Sequence, residues 1–131
     1  MTLQNGLLVA LGGAIGSLLR YAVGLAALAS FGPAFPWGTL IVNVVGCFVI
    51  GLVTNLAMTS TWGVSPTVRL FLAVGLCGGF TTFSSFGLEA VQLGRIGQLG
   101  ASFAYVAASL LVGIAAVWAG ILTGRLLTPH P

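Results

Sequence analysis

The chain alternates between long apolar stretches and short breaks rich in glycine, proline and hydroxyl residues. No charged residue occurs in the 48 positions between Arg20 and Arg69, or in the 29 positions between Arg95 and Arg125. A helix that crosses a bilayer needs about 20 apolar residues. The pattern therefore predicts a single transmembrane domain over residues 1–131, with four spanning helices at about Leu3–Leu28, Gly38–Met58, Val68–Leu93 and Leu99–Leu127.

The breaks between these stretches carry turn signals. Residues 31–38 hold two prolines and two glycines, residues 59–66 are polar and end in proline, and Arg95 lies between Gly94 and Gly97. Such clusters punctuate secondary structure. Aromatic residues favour the headgroup layer, so we expect Tyr21, Trp37 and Trp62 near span ends. The apolar N-terminal stretch exceeds signal-peptide length and is expected to be a retained helix.

Composition excludes several classes of protein. Hydrophobic residues make up 58% of the chain and charged residues only 4%, whereas soluble domains carry about a quarter charged residues. The stretches are continuously apolar rather than alternating, which favours helices over a β-barrel. No catalytic triad, paired carboxylates, phosphate-binding loop or Cys/His cluster occurs, so the sequence predicts no enzyme. Cys47 and Cys77 are expected to pack as small hydrophobes.

The arginines give little topological bias. Four spans place Arg69 and Arg125 on one side of the membrane, with Arg95 on the other and Arg20 nearer to that second side. Orientation normally follows the distribution of Lys and Arg. An even distribution predicts insertion in both orientations, and one fixed topology is the alternative. Chains in both orientations can form an antiparallel homodimer, which we expect because most oligomers are twofold dimers.

Small residues recur at helical spacing in the first and last spans. Gly12 and Gly16 are four residues apart, as are Gly120 and Gly124. In lipid, such pairs let helix backbones approach closely. We interpret these glycines as packing positions rather than chemical ones.

Polar side chains lie inside the apolar spans. Asn43 has Thr39 one turn before it on the same helix face, and Tyr105 and Ser109 are related in the same way. Intramembrane polar groups are functional candidates. The alternative for Asn43 is an interhelical hydrogen bond that contributes only about 0.6 kcal/mol. One polar stripe on each of three spans indicates a shared lining.

The third span carries the most unusual segment. Gly78 and Gly79 open it, and hydroxyl residues then alternate with phenylalanines up to Phe86. We expect a helix broken near the middle of the span, with backbone carbonyls released at the glycine pair, because irregular backbone at membrane depth lines cavities or is buried in protein. The alternative is a regular helix whose hydroxyls bond the carbonyl four residues back.

Two charged residues complete the candidates. Arg20 either snorkels to the interface or is a vestibule cation that attracts anions. Glu89, the only acid, either serves a proton-coupled transporter or faces water at the end of its span.

The chemistry of the lining favours an anion. Anion pores use positive charge and donors, whereas cation pores use acids. The net charge is +3, and the mid-span groups are N–H and O–H donors. Phe83 and Phe86 can offer electropositive ring edges to a small anion. The residues thus predict a narrow, donor-lined anion pathway without identifying the anion.

Three motifs resemble the Fluc/CrcB family of fluoride channels. They cover three of the four spans, and the length and layout of the chain also match. The matching segments are Gly12-Gly13-x-x-Gly16 with Arg20-Tyr21, Phe35-Pro36-Trp37-Gly38-Thr39-Leu40-x-x-Asn43-x-x-Gly46, and Gly75-Leu76-Cys77-Gly78-Gly79-Phe80-Thr81-Thr82-Phe83-Ser84-Ser85-Phe86.

The resemblance implies passive, fluoride-specific export from a microbial cell through its membrane, by an antiparallel, dual-topology dimer with two pores. It also implies a structural sodium ion at the dimer interface, held by the carbonyls of Gly78 and Thr81. The implied fluoride pathway consists of Thr39, Asn43, Phe83, Ser85, Phe86, Tyr105 and Ser109. Arg20 and Glu89 match the charged residues near the pore ends. Ser85 replaces a common threonine, and Gly113 replaces a frequent serine.

Two other functions compete with this interpretation. Small multidrug transporters are also four-helix, dual-topology proteins, but they carry a glutamate in the first helix where this chain has Arg20. Such a transporter would need Glu89 in its pathway. The third possibility is a non-transporting assembly protein that packs through its glycines.

Overall fold

The computed structural model describes residues 2–58 and 64–128. All regular elements in these ranges are helical, and four stretches are long and apolar enough to cross a membrane. The predicted all-helical, four-span architecture is therefore confirmed. The elements are α1 (Leu3–Phe31), α2 (Trp37–Met58), α3 (Pro66–Arg69), a π-helical segment (Leu70–Cys77), α4 (Gly78–Phe80), α5 (Phe83–Arg95) and α6 (Leu99–Leu127).

The ends of the spans follow the turn signals. Gly32 and Gly97 adopt positive φ angles of 74° and 82°, a conformation that favours glycine. Gly32 directly follows α1, and Gly97 lies in the turn after α5. Because no proline occurs before Pro33, α1 continues to Phe31. Tyr21 therefore lies ten residues before the end of α1, farther from the helix end than expected. Trp37 begins α2, and Trp62 lies outside the described residues.

The third span, residues 66–95, changes its backbone geometry along its length. Pro66–Arg69 is α-helical, Leu70–Cys77 is π-helical, and Gly78–Phe80 is α-helical again. Thr81 and Thr82 then have extended backbone angles (φ −86°, ψ 159° and φ −151°, ψ 120°) before α5 begins at Phe83. We call these two residues the extended link. The Thr82 hydroxyl caps α5 by accepting a 3.2 Å bond from the Ser85 N–H.

Glycines bring the helix backbones into direct contact. A Cβ atom on Gly12 would lie 2.7 Å from the Phe71 carbonyl oxygen, and one on Gly16 would overlap the Leu76 carbonyl oxygen. A Cβ on Gly120 would overlap the Phe48 carbonyl oxygen of α2. These contacts confirm that the glycine pairs serve packing. They join α1 to the third span and α2 to α6.

Gly78 and Gly79 are themselves helical, so the irregular backbone does not begin at the glycine pair. A Cβ on Gly79 would lie 2.9 Å from the Gly13 Cα atom. Gly79 is therefore needed for close approach to α1 rather than for unwinding. The extended residues come two positions later, at Thr81 and Thr82.

We expect Gly16→Ala to lower the stability of the protein. One methyl group there meets the backbone at Leu76 and Phe80, and overpacking of this kind costs about 1–3 kcal/mol. Gly24→Ala is the matched control on α1, because no atom lies within 4 Å of its Cβ position. Thermal unfolding in detergent measures both variants. Equal midpoints would show that the α1 contact tolerates a side chain.

Candidate functional site

Asn43 of α2 holds the extended link in place. Its Oδ1 accepts a 2.8 Å bond from the Thr82 N–H, and its Nδ2 donates a 3.1 Å bond to the Thr82 carbonyl. One side chain thus satisfies both backbone groups of a residue that has left the helix. An amide carries two N–H donors, so one N–H of Asn43 is left over from this pair of bonds.

Glu89 of α5 accepts hydrogen bonds from two other helices. The Thr39 hydroxyl donates to Oε1 at 2.8 Å, and the Tyr105 hydroxyl donates to Oε2 at 2.7 Å. Tyr105 is fully buried, and Glu89 is half-buried. These three side chains form the hydroxyl–carboxylate cluster. Two charge-assisted bonds partly compensate the negative charge of the carboxylate.

A central cavity of about 350 Å³ lies against the extended link. Its lining contains Asn43, Phe83, Phe86 and Ser109, together with Gly78 and Thr81. None of its lining residues is acidic. The Phe83 and Phe86 rings lie 5.5 Å apart at 45° to each other. The cavity therefore combines phenylalanine rings with polar side chains.

Ser109 contributes a buried side-chain oxygen to this cavity that has no hydrogen-bond partner among the described residues. A buried hydroxyl without a partner costs free energy. It therefore fits a site at which a bound solute supplies the missing partner.

A second cavity of about 310 Å³ contains Arg20. Thr39, Thr82 and Ser85 line it as well. The Thr82 hydroxyl donates a 3.2 Å bond to the Ser85 Oγ. Because Ser85 accepts that bond, its own proton is left for another acceptor. We call this space the Arg20 cavity; it shares Thr82 with the central cavity.

A third cavity opens at the end of the protein where α1 and α2 are connected. It has a volume of about 880 Å³ and is lined by Phe35, Thr39, Glu89 and Arg95, among others. Thr39 also lines the Arg20 cavity. We call this space the vestibule. The three cavities are thus neighbours with shared walls, running from the connection between α1 and α2 to the extended link.

An aromatic row joins the central cavity to the vestibule. The Phe86 ring lies 5.3 Å from Tyr105, and Tyr105 lies 5.4 Å from Phe35. Phe35 in turn lies 4.8 Å from Trp37. The sequence pattern did not predict this row, because Phe35 and Tyr105 are 70 positions apart and belong to different elements.

The structure brings together only some of the candidates. Thr39 and Asn43 both bond the third span, as their shared face predicts. Tyr105 and Ser109 share a face of α6 but have different surroundings. Tyr105 donates a hydrogen bond to Glu89, whereas Ser109 lines the central cavity. Arg20 lines a different cavity from Phe83 and Phe86.

Comparison with known proteins identifies relatives over nearly the whole chain. Residues 7–121 match the family described as CrcB-like protein, Camphor Resistance (CrcB). Proteins named "Fluoride-specific ion channel FluC" from Agrobacterium fabrum and Rhizobium etli are each 55% identical, covering 92% and 94% of this chain and 96% and 98% of their own lengths. "Fluoride-specific ion channel FluC 1" of Nitrobacter hamburgensis is 45% identical, covering 92% of this chain and 95% of its own. These matches confirm the resemblance carried by the motifs: the chain belongs to the CrcB family.

Proposed function

We propose that this protein is a fluoride-specific ion channel in the cell membrane of a microbe. It lets fluoride leave the cell down its electrochemical gradient and so lowers the toxic cytoplasmic concentration. The names of the relatives support fluoride as the solute. The observation that carries the proposal is the central cavity, whose lining combines an unpartnered buried hydroxyl with phenylalanine rings and lacks an acid.

Fluoride must exchange water for donors when it enters such a cavity. The spare N–H of Asn43, the Ser109 hydroxyl and the ring edges of Phe83 and Phe86 supply them. Ser85 and Arg20 offer a proton and a positive charge in the adjoining cavity. Glu89 repels an anion less because Thr39 and Tyr105 donate to its two oxygens.

The decisive experiment is flux from liposomes that contain the purified protein. We expect fluoride efflux, followed with a fluoride electrode, without a requirement for a proton gradient, and little efflux from matched chloride-loaded liposomes. Exchange of protons for cationic drugs would instead indicate a multidrug transporter. Absence of any flux would indicate an assembly role.

We also propose that the working unit is an antiparallel homodimer. In one subunit Phe83 is 82% exposed, and the neighbouring Ser84 and Gly78 are exposed as well. A hydroxyl and bare backbone beside the central cavity are poorly suited to lipid. We therefore infer that a second copy of the chain covers this surface. The even distribution of arginines supports inverted pairing.

Light scattering in detergent should give twice the mass of one chain plus bound detergent. Reporter fusions to the C-terminus should be active on both sides of the membrane. A monomeric mass, or activity on one side only, would contradict inverted pairing.

The backbone around the extended link fits the sodium ion that we propose at the dimer interface. In a regular helix the Gly78 carbonyl would accept from the Thr82 N–H, but that N–H donates to Asn43. The Thr81 carbonyl would accept from the Ser85 N–H, which donates to the Thr82 hydroxyl. Carbonyl oxygens that lack their helical donors suit a hard cation, and released carbonyls at helix ends bind sodium in transporters. The ion would join two subunits by neutralising these carbonyl dipoles.

Removal of sodium should therefore destabilise the dimer. We expect a higher midpoint of thermal unfolding in sodium chloride than in N-methylglucamine chloride at equal ionic strength, because binding to the folded state adds stability. A change of about 2–4 °C corresponds to 1 kcal/mol. Identical midpoints in the two salts would count against the ion.

A further inference from the structure

Phe35 lies in the short connection between α1 and α2 and faces the vestibule. Its carbonyl accepts a 2.8 Å bond from the Trp37 N–H, and its ring lies 4.8 Å from the Trp37 ring. Pro36 follows it directly and restricts its backbone to extended conformations. Phe35 is therefore anchored to the start of α2 rather than free in a loop.

The Phe35 ring meets Tyr105 almost edge-on, at 83° and 5.4 Å between centroids. Phe86 contacts the same tyrosine ring, at 53° and 5.3 Å. Edge-to-face ring pairs are favourable beyond the area that they bury. Two rings from different elements thus fix the tilt of the Tyr105 ring.

That tilt decides where the Tyr105 hydroxyl lies. The ring is fully buried, and its hydroxyl reaches the Glu89 Oε2 at 2.7 Å. A shift of the ring would lengthen this bond and leave the carboxylate with one donor, Thr39. Glu89 would then carry less compensated negative charge at the wall of the vestibule.

We infer that Phe35 is a positioning residue of the fluoride pathway, because its edge-on contact holds the Tyr105 hydroxyl on Glu89. The inference rests on the proposed fluoride function. Phe35 touches no reacting group itself and acts through Tyr105.

The test compares fluoride efflux from liposomes that contain wild-type protein, Phe35→Leu or Phe35→Tyr. Leucine removes the ring and leaves space beside Tyr105. We therefore expect efflux to fall about two- to tenfold, the factor to which the interaction energy of one aromatic ring pair corresponds. Tyrosine retains a ring and should restore most of the flux. Phe31→Leu is the matched control, because Phe31 contacts Trp37 at 5.5 Å from the end of α1, and its flux should equal that of wild type.

A double-mutant cycle separates positioning from general support of the fold. In the Tyr105→Phe background there is no hydroxyl to position, so Phe35→Leu should reduce efflux no further. If Phe35 only supports the fold, Phe35→Leu will reduce efflux by the same factor in both backgrounds. That result would overturn the inference. Unchanged efflux in Phe35→Leu alone would overturn it as well.

Two safeguards keep these outcomes distinct. Wild-type liposomes are measured first, and a lack of fluoride efflux there overturns the proposed function rather than the role of Phe35. If Phe35→Leu is not monodisperse in detergent, Phe35→Met replaces it in the same cycle, since methionine fills more of the space without a ring.

Discussion

Fluoride efflux should fall at least tenfold when Phe83 is replaced by isoleucine, while the protein remains dimeric. Isoleucine is apolar and bulky but lacks the electropositive ring edge that an anion can approach. Loss of one preorganised donor costs about a hundredfold or more in enzymes, and a ring edge is a weaker donor. Phe83 lies beside Phe86 at the central cavity, and the isoleucine side chain itself brings no donor to replace the lost edge.

Phe103→Ile is the matched control for this substitution. Phe103 is 74% exposed, close to the 82% of Phe83, but it lies on α6 and does not line the central cavity. Its efflux should match that of wild type, and light scattering should give the same mass for both variants. Normal efflux in Phe83→Ile would contradict a ring-edge role. Loss of the dimer would show that Phe83 acts through packing instead.

Replacement of Asn43 by leucine should abolish most of the fluoride efflux. The substitution removes both hydrogen bonds to Thr82 and leaves its N–H and carbonyl without partners at membrane depth. Each buried unsatisfied group costs about 1–3 kcal/mol, so the extended link should become loose. Hydrogen exchange of a peptide that contains Thr82 should become faster, which mass spectrometry detects.

Asn43→Asp separates the two roles of this residue. Aspartate retains an oxygen that can accept from the Thr82 N–H but leaves the Thr82 carbonyl without its donor, so we expect exchange at Thr82 to be slower than in Asn43→Leu and faster than in wild type. It loses the N–H donors and adds a negative charge to the lining of the central cavity, so efflux should still fall. Normal efflux in Asn43→Asp would mean that Asn43 only supports the extended link and offers nothing to fluoride.

Some of these functional candidates could be predicted from the local chemistry of the sequence. Polar groups in an apolar span are conspicuous because burial without a partner is costly, and this rule identified Asn43, Thr39, Tyr105 and Ser109. It did not identify their partners. Asn43 was open to two interpretations, and the structure gives it both the interhelical bonds of one and the cavity position of the other.

Glycine illustrates the limit of local rules. The spacing of Gly12 and Gly16 predicted close packing, and their contacts with the third span agree. The same local view assigned Gly79 to unwinding, whereas Gly79 is helical and meets Gly13. A missing side chain permits either outcome, and only the position of the neighbouring helix decides between them.

The membrane class, the four spans and the family motifs could be predicted from the sequence, because charge, hydropathy and turn residues act over a few neighbouring positions. The packing of the helices placed Thr39 and Tyr105 on Glu89, brought Phe35 against Tyr105 and left the Ser109 hydroxyl buried with no partner among the described residues. These contacts join residues up to 70 positions apart. They depend on how closely the helices pack and on which face each one presents, and a single chain pattern does not specify either.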